Sequence, residues 1–90
     1  MLSKNRIKEV TALHHKKFRN LENVFIVEGE KIVADLLLSG WKVLTIFATP
    51  EYINRNRLSG EINCEVCTED EMSKITALTT ASPVLAVVEM

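Results

Sequence analysis

The sequence predicts an α/β fold in three layers, with a small mixed or parallel four-stranded sheet between helices, formed by a single domain of residues 1–90. Apolar segments of strand length occur at residues 24–27, 43–48, 64–67 and 84–88. Segments with helical periodicity or capping signals lie between them, and this alternation is typical of a sheet covered by helices on both faces. An apolar fraction of 47% is enough for the modest core of a chain of 90 residues.

A basic amphipathic helix is predicted at the start of the chain, capped by Ser3. Its apolar side, with spacings of three and four, comprises Ile7, Val10, Leu13, His14 and Phe18. If the helix extends to residue 19, a basic stripe about 60° wide lies behind the apolar side. The stripe comprises Lys4, Lys8, His15 and Arg19. Residues 19–23 are predicted to form a loop, and residues 24–27 a strand covered on both faces.

Two further helices are predicted from signals at their ends. Residues 30–39 have apolar side chains on one face, and Gly40 follows them in the usual C-terminal stop position. After the strand at residues 43–48, Thr49 can cap a helix in which Pro50 takes the first position. This helix is weakly patterned and is expected to end before residues 59–60.

The last helix begins with a capping box, in which the Thr68 hydroxyl and the Glu71 carboxylate each accept a hydrogen bond from a free backbone N–H. The neighbouring Glu69 and Asp70 lie in the same first turn, where acidic side chains complement the helix dipole. We therefore interpret these acids as structural. A loop at residues 79–83 and a fully apolar strand at residues 84–88 complete the prediction.

No catalytic residue and no metal site is predicted. Cys64 and Cys67 lie in a predicted strand, where residues three apart face opposite sides, so they are interpreted as buried structural thiols. His14 and His15 are helix neighbours about 100° apart and cannot share a metal ion. The chain lacks a nucleophile elbow, a glycine-rich phosphate loop and a metal triad. With no membrane span, no secretory signal and few cysteines, the expected location is the cytoplasm.

Charge is distributed unevenly along the chain. The first 20 residues hold six basic residues against the single acid Glu9, whereas the other 70 hold five basic and eleven acidic residues. Crowded lysines repel one another, which destabilises the helix unless a ligand neutralises them. Phosphate groups supply such neutralisation with sequence-independent affinity, so the pattern favours nucleic acid as the partner. A solvated helix face is the simpler alternative for the same residues.

Three groups of residues, in this order, resemble a known family, the SpoU or TrmH type of RNA ribose 2′-O-methyltransferases, in the N-terminal substrate-binding domain. The first group is Ser3, Asn5, Ile7, Lys8, Leu13, Lys16, Lys17 and Arg19. The second is Phe25, Val27, Glu28 and Gly29, followed by a helix. The third is Thr79, Thr80 and Pro83, with the closing strand from Leu85 to Val88.

The resemblance implies a fold similar to ribosomal proteins that bind kinked RNA. It implies that the chain binds tRNA or rRNA and positions a ribose for methylation by a C-terminal domain outside this chain, which binds S-adenosylmethionine and forms a homodimer. No cofactor is then expected in these 90 residues, which would be non-catalytic alone. Asn5, Lys8, Lys16, Lys17 and Arg19 would contact RNA, joined by Lys4 and His15 of the basic stripe. Glu28 and Gly29 would shape a turn near that surface.

Two other functions stay open at this point. One is a stand-alone RNA-binding protein of the ribosomal kind, with no enzyme attached. The other is a protein-interaction module whose basic helix docks an acidic partner.

Overall fold

A computed structural model describes residues 2–56 and 63–90 of the chain. Over these residues the element order is ααβαβαβαβ. The helices are α1 (Lys4–Ala12), α2 (Lys16–Glu22), α3 (Glu30–Leu38), α4 (Pro50–Asn56) and α5 (Glu69–Ile75). The strands are β1 (Val24–Glu28), β2 (Val43–Ala48), β3 (Cys64–Val66) and β4 (Val84–Glu89).

The four strands form one mixed sheet in the order β1-β4-β2-β3. Strand β4 pairs antiparallel with both β1 and β2, and β2 pairs parallel with β3. The last strand of the chain is therefore a central strand, which fits its uniformly buried residues. Strand β1 forms one edge of the sheet. This arrangement confirms the predicted four-stranded sheet and shows that it is mixed, the first of the two predicted forms.

Two apolar clusters, one on each face of the sheet, confirm the three layers. One cluster joins Val10 of α1 and Met72 and Ile75 of α5 to Phe47 and Leu85 of the sheet. The other cluster packs Val33 and Leu36 of α3 and Tyr52 of α4 against sheet residues that include Ile46 and Ala86. Successive residues of one strand enter opposite clusters, as strand geometry requires.

Most predicted helix ends are confirmed. Ser3 accepts a hydrogen bond from the Arg6 N–H at 3.0 Å, and the capping box of Thr68 and Glu71 is complete. Thr49 Oγ1 accepts from the Tyr52 N–H at 3.3 Å, so it caps α4 as predicted. Gly40 follows α3 with a φ of 78°, the left-handed conformation of a helix stop. The predicted end of α4 before residues 59–60 lies outside the described residues.

The prediction of one long first helix is wrong. Helix α1 ends at Ala12 and α2 begins at Lys16, and the second helix extends to Glu22 across most of the segment predicted to be a loop. At the end of α1, the Thr11 hydroxyl donates to the backbone oxygens of Ile7 and Lys8, a bond that competes with the helix.

A hydrogen bond to a distant part of the chain stabilises the turn between the two helices: His14 Nε2 donates to the Ile75 backbone oxygen at 2.6 Å. Arg19 Nη1 donates to the His14 backbone oxygen at 2.8 Å, on the other side of the turn. Helix α2 ends at Asn23, whose φ of 58° is left-handed and reverses the chain into β1. No described helix has the length and apolarity to cross a membrane.

Candidate nucleic-acid interface

The basic residues of the first 20 positions lie in two groups instead of one stripe. Lys4, Asn5 and Lys8 are exposed on α1, and Lys4 and Lys8 are one helical turn apart. Lys16 and Lys17 are exposed in the first turn of α2, with the half-buried Arg19 following in the same helix. The break at residues 13–15 therefore separates Lys4 and Lys8 from His15 and Arg19, which a single helix would have aligned in one stripe.

His15 lies at the junction of the two groups. It is exposed, adopts an extended conformation immediately before α2, and makes no capping bond with its side chain. Its ring meets Phe18 edge-on with the centroids 6.4 Å apart. Phe18 and Leu21 are themselves exposed, and α2 buries none of its residues. Helix α2 thus presents both charge and apolar area to the surroundings.

Five of the predicted contact residues carry a positive charge with no carboxylate of the described residues within 4 Å. Across residues 2–56 and 63–90, the ion pairs involve Arg6, Lys42, Arg55 and Lys74. Six described cations lie outside these pairs: Lys31 on α3 and the five predicted contact residues Lys4, Lys8, Lys16, Lys17 and Arg19. Like charges without partners raise the local potential and attract a polyanion.

Arg6 contributes to the charge count of the sequence but not to this surface. Its guanidinium binds Glu65 on β3 at 2.6 Å and Glu9 at 3.0 Å, and lies 5.1 Å from the centroid of the Phe47 ring. The hydrogen bond to Glu65 raises the pKa of Arg6 further above its already high value. Arg6 therefore fastens α1 to the sheet.

Glu28 and Gly29 lie where β1 passes into α3. The Glu28 carboxylate accepts hydrogen bonds from the Thr76 hydroxyl and, at 3.0 Å, from the Ala77 N–H, which joins the end of β1 to the segment after α5. Gly29 has a φ of 118°, which residues with a side chain rarely adopt. Beside this turn is an open groove of about 420 Å³. Its lining comprises His14, Arg19, Phe25, Ile26, Glu28, Ala77 and Leu78.

A second groove, of about 570 Å³, is more acidic than the first. Glu30, Glu51 and Glu69 line it at the beginnings of α3, α4 and α5, together with Arg55, which forms an ion pair with Glu30. In the first groove the charged lining residues are Arg19 and Glu28. The first groove therefore carries less negative charge in its lining and lies beside the cations of α2.

Cys67 is buried as predicted, whereas Cys64 is half-buried. Cys64 packs against the cluster of α3 and α4, whereas Cys67 belongs to the cluster of α1 and α5, so the two face opposite sides of the sheet. Burial raises the pKa of both thiols, that of Cys67 to about 11. Both remain free and largely protonated near neutral pH. In the described part of the chain, no group of three or more His, Cys, Asp or Glu could hold a metal ion.

Comparison with known proteins identifies the family and the fold of the chain. Residues 4–86 match the model of the MRM3-like substrate binding domain family. The 23S rRNA (guanosine(2553)-2′-O)-methyltransferase RlmP of Bacillus subtilis (strain 168) is 33% identical over 85 residues. The aligned region covers 94% of this chain but 34% of RlmP. The chain thus spans about a third of the length of this relative.

Two solved structures have the same fold. A protein from Porphyromonas gingivalis, described as an RNA methyltransferase of the TrmH family, superimposes with a TM-score of 0.85 at 28% identity, covering 99% of this chain and 36% of its own. An AdoMet-bound rRNA methyltransferase from Sinorhizobium meliloti gives 0.76 at 30% identity, covering 100% and 35%. Because the family model spans nearly the whole chain, we conclude that the chain belongs to the MRM3-like substrate-binding domains of the SpoU/TrmH type.

Proposed function

We propose that this chain is the RNA-gripping part of an rRNA (ribose-2′-O)-methyltransferase, and that it holds the RNA while another part of the enzyme transfers the methyl group. The observation that carries the proposal is the set of five uncompensated cations on α1 and α2. RlmP, named as a 23S rRNA methyltransferase, supports rRNA over tRNA as the substrate.

The grip rests on the phosphate backbone. Lys4, Lys8, Lys16 and Lys17 are exposed, so each ammonium group can reach a phosphate and release condensed counterions. Arg19 keeps donors free beyond the bonds that Nη1 makes, because a guanidinium carries five N–H groups. Such contacts fix the position of the RNA without reading its sequence. Asn5 and His15 lie among these cations and add polar contacts to phosphate or ribose.

We assign the methyl donor to the part of the enzyme outside this chain. S-adenosylmethionine is bound in the Sinorhizobium meliloti relative, of which the present chain covers 35%. In this proposal the chain is non-catalytic alone, and the missing part supplies methyl transfer and the homodimer contact.

The dependence of RNA binding on salt tests this function. With four or five phosphates engaged, the logarithm of the association constant should fall against the logarithm of salt concentration with a slope of about −3 to −4. The double variant Lys16→Ala/Lys17→Ala should make the slope shallower by about 2 units. Fluorescence anisotropy with a labelled structured rRNA fragment, repeated across salt concentrations, measures both quantities.

The chain offers a matched control. Lys42 and Lys74 are also exposed, but each is paired with a carboxylate, Glu89 at 3.4 Å and Asp70 at 3.2 Å. The variant Lys42→Ala/Lys74→Ala changes the net charge equally and should leave the slope near the wild-type value. An equal reduction of the salt slope in both double variants would show a general effect of net charge and would contradict the proposed surface. Affinity that does not vary with salt would contradict RNA binding through phosphates.

A further inference from the structure

The backbone of the edge strand β1 has polar groups that no other part of the described chain uses. On either side of the strand, the Asn23 backbone oxygen accepts from the Met90 N–H, just after β4, and the Gly29 N–H donates to the Val84 oxygen of β4. Antiparallel pairing alternates, so Phe25 and Val27 also bond to β4, whereas Ile26 and Glu28 direct their N–H and C=O groups outward. No hydrogen bond to these outward groups of Ile26 exists within the described residues.

The groove lined by Arg19 and Glu28 opens onto this edge. Ile26 packs with the cluster of α1 and α5, whereas Phe25 packs with the cluster on the opposite face, and both residues line the groove. The groove therefore reaches the peptide between the two residues, where the Ile26 N–H points outward. Leu78, which is 47% exposed, forms an apolar wall.

The lining of the groove includes one basic and one acidic side chain, Arg19 and Glu28. Arg19 belongs to α2, which begins with the exposed Lys16 and Lys17. The Glu28 carboxylate is held by Thr76 and Ala77. An occupant must therefore place its negative group beside Arg19 and an uncharged, hydrogen-bonding group beside Glu28.

We propose that this groove takes a single unpaired nucleotide of the substrate RNA, with its phosphate on Arg19 and its base between Leu78 and the outward edge of Ile26. The main-chain N–H and C=O of Ile26 present a donor and an acceptor side by side, which the edge of a heterocyclic base can match. A nucleobase also has an apolar face that packs on a side chain such as Leu78. The inference rests on the proposed function, because it assumes that RNA is the ligand.

The size of the free edge favours a nucleotide over an extended peptide. Val24, the third residue of β1 with an outward backbone, is 4% exposed, which leaves Ile26 and Glu28 as the accessible positions. Two positions are short for pairing with another strand, since strands commonly have about 5 or 6 residues. The uncompensated cations of α2 also select a polyanion.

Hydrogen exchange of single amides tests the groove without any mutation. In the free chain the Ile26 amide should exchange rapidly, whereas the Phe25 and Val27 amides, bonded to β4, should exchange slowly. Adding an RNA hairpin with an unpaired loop should slow exchange at Ile26 by about tenfold or more, as expected for one well-made hydrogen bond. A blunt RNA duplex with the same number of phosphates should leave Ile26 unchanged.

A variant pair sharpens the result. Leu78→Glu adds a negative charge to the groove and should weaken hairpin binding by about tenfold, with little change for the duplex. Leu38→Glu, at a position that is 88% exposed at the end of α3, is the matched control and should not change hairpin binding.

Each remaining outcome separates the groove from the proposed function. If hairpin and duplex bind equally and Ile26 stays unprotected while Lys16→Ala/Lys17→Ala still weakens binding, the groove inference is wrong and the RNA-binding function stands. If neither RNA binds in a salt-dependent way, both the groove inference and the proposed function are wrong. If a poly-glutamate peptide protects Ile26 and RNA does not, the occupant is an acidic protein segment and the nucleotide is excluded.

Discussion

Helices α1 and α2 follow each other in the chain and are both basic, but the structure uses them in opposite ways. Helix α1 is fastened to the body of the protein: Val10 is 1% exposed, and Arg6 binds Glu65 of the sheet. Helix α2 buries no residue and leaves Phe18 and Leu21 exposed. A count of basic residues does not distinguish the two helices, because the availability of a charge depends on which carboxylates the fold brings near it.

The largest difference should appear in core packing. Val10→Ala removes two methyl groups from a fully buried site, so we expect a loss of about 2 kcal/mol in the free energy of unfolding. Leu21→Ala on α2 removes a larger side chain from an exposed site and should change stability by less than about 0.5 kcal/mol. Urea denaturation followed by circular dichroism measures both. Similar losses would mean that α2 is as much a part of the core as α1.

A smaller difference should separate the two kinds of cation. Arg6→Met leaves the half-buried Glu65 without its partner and should cost about 1 kcal/mol of stability. Lys8→Met, on the same helix but without an ion pair in the described residues, should stay within about 0.5 kcal/mol. For RNA affinity the order should reverse: Lys8→Met should bind RNA more weakly than Arg6→Met does. An Arg6 variant that folds normally but loses more RNA affinity than Lys8→Met would contradict the division.

The smallest expected effect is on the pH dependence of stability, in the acid range. The Glu71 carboxylate accepts from the Thr68 N–H at 2.9 Å and the Leu2 N–H at 2.7 Å, and these bonds lower its pKa from 4.5, with the Thr68 bond contributing most. A carboxyl whose pKa is lower in the folded state stabilises the fold above its unfolded pKa. This contribution is lost as the pH falls below about 4.5 and through the folded value.

Glu71→Gln should therefore reduce stability at neutral pH and weaken its dependence on pH in the acid range, as read from urea unfolding between neutral and acid pH. Glu22→Gln is the control on α2, where the carboxylate makes no hydrogen bond with another described residue, and it should keep the wild-type pH dependence. Parallel pH profiles for the wild type and Glu71→Gln would show that the carboxylate does not anchor the start of α1.

Local signals predicted most of the fold because they act within a few residues. The caps at Ser3, Thr49 and Thr68 and the four apolar strands follow from neighbouring side chains, and all are confirmed. The break between α1 and α2 could not be predicted in this way. The apolar spacing continues through it, and the bond that holds it joins His14 to Ile75, 61 residues away.

In the candidate site, too, the sequence predicts the features that depend on neighbouring residues and misses those that depend on distant ones. Its lysines are recognisable from the sequence as a crowd of like charges, but the sequence does not show that Arg6 is neutralised by a residue 59 positions away. Nor does it show that β1 lies at the edge of the sheet, since edge and central strands of this length have similar apolar patterns. The outward amide of Ile26 becomes visible only with the strand order.

The position of β4 has a consequence for how the protein is made. Strand β1 has β4 as its neighbour in the sheet, and β4 is the last strand of the 90 residues, so β1 has no partner while most of the chain emerges from the ribosome. The central pairing must wait until residues 84–89 are free of the exit tunnel. Until then β1 lacks its sheet partner, and an unpaired apolar strand is prone to aggregation.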